Sequence, residues 1–146
     1  MGRRAGAFLV LGTLAIAAPA WAEGPAPAAG VHPPSELIGT WRGTSTCTDR
    51  EVAPACHDEA VIYDFTAGKE PGTVHWKADK VVDGERGFMG EFDTTYDADE
   101  GCWKSEYHSP RGTTVWCVVV DGGHLTGTAR MLPGKQAFRK IDAKKD

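Results

Sequence analysis

The chain has 146 residues, 16 Lys and Arg against 20 Asp and Glu, and a formal net charge of −4. An acidic chain whose basic residues are scattered repels a phosphate backbone, so nucleic acid is excluded as a partner. The length suits one domain and hardly permits two.

Arg3 and Arg4 precede an uncharged apolar stretch over 5–18, and Ala20-Trp21-Ala22 gives the small-x-small pattern of a signal-peptidase site. Cleavage is expected after Ala22, which makes the protein exported, either periplasmic or secreted. The apolar stretch is shorter than the roughly 20 residues that span a bilayer, and nothing later in the chain is suited to membrane insertion. Removing residues 1–22 takes away two arginines and no acid, leaving 14 basic and 20 acidic side chains and a charge of −6. Residues 23–35, EGPAPAAGVHPPS, have little to bury and predict an extended or disordered tether. The folded domain is expected over 36–142, followed by a basic, solvated tail over 143–146.

Past the leader, β-type alternation bounded by Gly, Pro and Asp turns recurs at short intervals. It predicts strands at 37–47, 59–65, 73–82, 87–96, 102–108, 113–120, 124–132 and 136–141. Most connections are short and rich in turn residues, as in Asp83-Gly84 and Asp121-Gly122-Gly123, which favours antiparallel neighbours. The expected fold is therefore all-β: an eight-stranded antiparallel up-and-down meander, closed into a small barrel so that no edge strand is exposed. The more apolar parity of each strand gives the inner face. It carries Trp41, Gly43, Ser45, Val61, Tyr63, Phe65, Val74, Trp76, Ala78, Phe88, Gly90, Phe92 and Tyr96. The later strands add Trp103, Tyr107, Trp116, Val118, Leu125, Gly127, Ala129 and Met131.

Cys47, Cys56, Cys102 and Cys117 all fall in the exported part, where an even count predicts two disulfides. Spacing alone leaves three connectivities. A hairpin with its loop at 109–112 sets Trp103 opposite Trp116 on the inner face and Cys102 opposite Cys117 on the outer one, since register fixes faces. That favours Cys102 with Cys117 and leaves Cys47 with Cys56. Only Cys56 and His57 are near neighbours, a poor chelating arrangement, so no structural metal is expected.

The opening Gly39-Thr40-Trp41-Arg42-Gly43 resembles the G-x-W start of lipocalins and other calycins, and of nitrobindin-like haem barrels. The resemblance implies that Trp41 packs at the closed base of a barrel under an arginine from near the final strand. Arg139 is the first candidate for that arginine and Arg130 the second. An arginine over an indole contributes roughly 0.5–2 kcal/mol. Nitrobindin-like proteins also place an inward histidine near their last strands. Here His75, His108 and His124 fall on outward parity, which argues against haem; His57 belongs near the barrel mouth.

No nucleophile elbow, zinc-protease motif or P-loop occurs, and the acidic turn over 93–100 lacks the spacing of a calcium loop. Neither an enzymatic activity nor a cofactor is predicted. The expected function is to hold a small apolar or amphipathic ligand, as a monomer, among Tyr63, Trp76, Phe88, Phe92, Trp103, Tyr107, Trp116 and Met131. The same rings could instead fill the interior, since each is worth about 1.5–3 kcal/mol when buried. A filled barrel would act through its outer face or loops, as a protein- or glycan-interaction module.

Overall fold

The computed structural model describes residues 32–146 together with Gly2. The expected leader, its cleavage site and most of the tether lie outside the described residues. After a helical turn, α1 (Pro34–Leu37), come β1 (Gly39–Cys47), β2 (Glu59–Ala67), β3 (Thr73–Val82) and β4 (Glu85–Asp97). They are followed by β5 (Cys102–Ser109), β6 (Gly112–Asp121), β7 (His124–Met131) and β8 (Ala137–Lys145). Every consecutive pair is antiparallel and β8 returns to β1, closing a meander barrel with two disulfides, Cys47–Cys56 and Cys102–Cys117. Asp83 and Gly84, with φ of 52° and 82°, make the tight β3–β4 turn, a backbone shape that Asp tolerates and Gly adopts freely.

Several sequence expectations need correction. The β5–β6 hairpin turns at Pro110 and Arg111, so Trp103 faces Val118, and Ser105 faces Trp116. The predicted register is thus two residues out. A slip of two keeps every side chain on its face, so Cys102 and Cys117 still share the outer face and join diagonally, with a Cα separation of 5.6 Å. The last strand runs through Lys145 instead of stopping at Ile141, because closure on β1 pairs Trp41 with Lys145 and Arg42 with Lys144. Ala143, assigned above to a solvated tail, is 1% exposed. At the other end, α1 begins inside the predicted tether, and His32 stacks on Tyr96 at 4.3 Å between ring centroids.

The two ends of the barrel differ. At the base, where β1 begins, α1 supplies Leu37, whose carbonyl accepts the Trp41 indole N–H at 2.8 Å. The Trp103 indole N–H donates to Glu36 at 3.0 Å. Trp41, Phe65, Val74, Trp103, Val118, Leu125 and Ile141 are buried together in one core cluster above this plug. Packing is close enough that a Cβ on Gly43 would lie 1.9 Å from the Asp142 carbonyl oxygen, and one on Gly127 2.7 Å from a Val118 methyl. The cation over Trp41 is Lys145, 5.2 Å from the ring centroid, and not Arg139. Arg139 pairs with Cys47 on β1, which puts it at the opposite end of the barrel.

Candidate functional site

The rim half is hollow. A cavity of about 320 Å³ opens there, walled by Tyr63, Trp76, Phe92, Tyr107 and Trp116, with Ser45, Glu59, Thr114, Phe138 and Arg139 completing it. Alternation along β2 to β6 turns the rings toward the interior, Tyr107 standing half exposed at the rim, while Ala78 and Gly90, which pair across β3 and β4, leave the space in front of them. Trp76 is the hub. It meets Tyr63, Phe92 and Trp116 edge-on at 5.0, 5.6 and 5.8 Å, the geometry that sets a positive ring edge against a negative ring face.

Two β-bulges shape the rim. Between β3 and β4 the register jumps at Ala78/Asp79, where Met89 is the extra residue. Between β7 and β8 it jumps at Ala129/Arg130, where Phe138 is the extra residue. Bulges concentrate at barrel rims and re-aim side chains; both of these extra residues line the cavity. The first bulge also corrects an expectation: it reverses the parity of β4 beyond Gly90, so Phe88 pairs with Asp79 and stands 62% exposed.

Polar groups gather on one wall. Arg139, nearly buried, donates from Nη1 to the Ser45 hydroxyl at 2.8 Å and to Glu59 at 3.0 Å, and from Nη2 to the His57 carbonyl at 2.9 Å. The same Nη2 lies 3.1 Å from Cys56 Sγ, so the guanidinium ties the disulfide-closed loop after β1 to the cavity wall. The Tyr63 phenol, beside the Ser45 hydroxyl, is pushed up to about 12 by burial, with the Ser45 hydrogen bond opposing the rise, and stays protonated at any physiological pH. The Trp76 indole N–H has no acceptor among the described residues. Neither do the buried hydroxyls of Thr94 and Ser105, which adjoin the last paired residues of β4 and β5, Thr95 and Lys104, have a partner there.

Of the residues predicted to bind ligand, the cavity brings together Tyr63, Trp76, Phe92, Tyr107 and Trp116. Phe88 is outside; Trp103 belongs to the base; Met131 packs with Cys56, Ala129 and Phe138 in a separate cluster. Sequence reasoning missed Glu59, Thr114, Phe138 and Arg139 as wall residues. Glu59 shares the parity of Val61 and Tyr63 and could have been found, whereas Phe138 enters through a bulge that alternation does not announce. His75, His108 and His124 are exposed, and His75 and His124 bond to Asp93 and Asp142 on the outer surface. Glu100 lies near the Cys102 and Cys117 sulfurs, but those are joined to each other and offer no thiolate. No family model, curated protein or solved structure matches the chain.

Proposed function

We propose that this protein is an exported, calycin-like barrel that holds one small apolar or amphipathic molecule in the rim half of its interior. The observation that carries the reading is the cavity of about 320 Å³ walled by five aromatic rings. Its size is at the lower end of small-molecule sites, so it suits a compact molecule better than a long chain. Two disulfides accord with an oxidising compartment, as export through the expected leader requires. The rival reading of a filled barrel draws its support from the base alone.

A hydrophobic dye and a panel of fatty acids, retinoids and haem, titrated while tryptophan emission is followed, test the proposal. At least one should enter and shift the emission of Trp76 and Trp116. If the dye is refused and the whole panel leaves the emission unchanged, the barrel is not a carrier.

A further inference from the structure

Arg139 invites the expectation that the guest is an anion, but its hydrogen bonds say otherwise. Both terminal nitrogens of the guanidinium are already engaged, by the Ser45 hydroxyl, Glu59, the His57 carbonyl and Cys56 Sγ. An incoming carboxylate would have to displace Glu59 or sit beside it as a like charge, and like charges in a partly desolvated site repel strongly. Glu59 uses only Oε2 toward Arg139; its second oxygen accepts no hydrogen bond among the described residues, and the residue lines the cavity. The spare charged acceptor of the wall is therefore the second oxygen of Glu59, whose charge is shared with Arg139. Around it stand aromatic faces, which attract cations through their quadrupoles. Residues 32–146 carry 14 basic and 19 acidic side chains, so the long-range field also favours a cation.

We infer that the cavity selects a compact aromatic amine, its ring against Phe92, Tyr107 and Trp116 and its ammonium donating to the free oxygen of Glu59. This rests on the interior-binding proposal and narrows it to one ligand class.

Calorimetric titration with three indoles that share a ring and differ in the tail tests the inference: tryptamine, tryptophol and indole-3-propionate. Tryptamine should bind at least about tenfold tighter than tryptophol, and indole-3-propionate weakest. Glu59→Gln, checked for folding by circular dichroism, should bring tryptamine down to the level of tryptophol. Equal or tighter binding of the propionate overturns the inference, and so does uptake of the dye with none of the three indoles bound; in both cases the carrier proposal stands. Refusal of the dye and the indoles alike removes the carrier proposal and the amine with it. Should Glu59→Gln fail to fold, the ranking of the three tails on the unaltered protein decides alone.

Discussion

Lys145 takes the place over Trp41 that the opening motif assigns to Arg139. The resemblance implied an arginine over Trp41, but strand pairing places Lys145 there and sends Arg139 to the rim. The two should differ under mutation. Arg139→Ala strips Glu59 and the His57 carbonyl of their partner and should lower stability by about 1–3 kcal/mol, the cost of leaving partly buried polar groups unsatisfied. Lys145→Ala removes one exposed cation–π contact and should cost about 0.5–1 kcal/mol. Urea unfolding of both variants makes the comparison, and equal losses would return Arg139 to a minor role. Tyr63 gives a pH signature. Its folded phenol titrates at about 12 against an ordinary 10.0, so the unfolded chain releases the proton first. The stabilisation is complete below pH 10 and is lost as pH rises through 12, by about 2–3 kcal/mol. Tyr63→Phe should flatten that part of the melting-temperature profile; an unchanged slope would mean that the phenol is not buried as described.

At the scale of the element, strand existence and facing were legible because alternation is a local property. Trp76 and Trp116 could be aimed inward from the residues beside them. Register and bulges were not legible, since they are set by closure of the whole ring. The β5–β6 hairpin shows how the disulfide survived a wrong register: a two-residue slip preserves parity. Peptide mapping without reduction should link Cys102 to Cys117 and Cys47 to Cys56; any other pairing contradicts the barrel's strand order. The bulge at Met89 explains why Phe88 was misassigned, and it predicts a contrast between two rings. Phe88→Ser, on the outside, should change stability by no more than about 0.5 kcal/mol. Trp103→Ala, in the base, should lower it by about 3–5 kcal/mol. Equilibrium unfolding of the two checks whether β4 changes parity where the register jumps.

For the whole molecule, one core cluster fills the base and continues into the cavity wall through Tyr63, Trp76 and Ala78. The base is packed to contact by α1, Trp41, Trp103 and the glycines that let strands approach, which gives the rim a rigid foundation. The rim keeps its rings apart with Ala78 and Gly90 and concentrates the interior ion pair on one wall. The candidate site was half legible from sequence: the rings followed from alternation, while Glu59 and Arg139 gained their meaning only once β1, β2 and β8 stood side by side. The most direct test uses the four indole N–H resonances of Trp41, Trp76, Trp103 and Trp116 during titration with whichever probe binds. The Trp76 and Trp116 signals should move as the cavity fills, with those of Trp41 and Trp103 stationary. Movement confined to Trp41 and Trp103, or saturable binding that leaves all four in place, would contradict a guest held in the rim half.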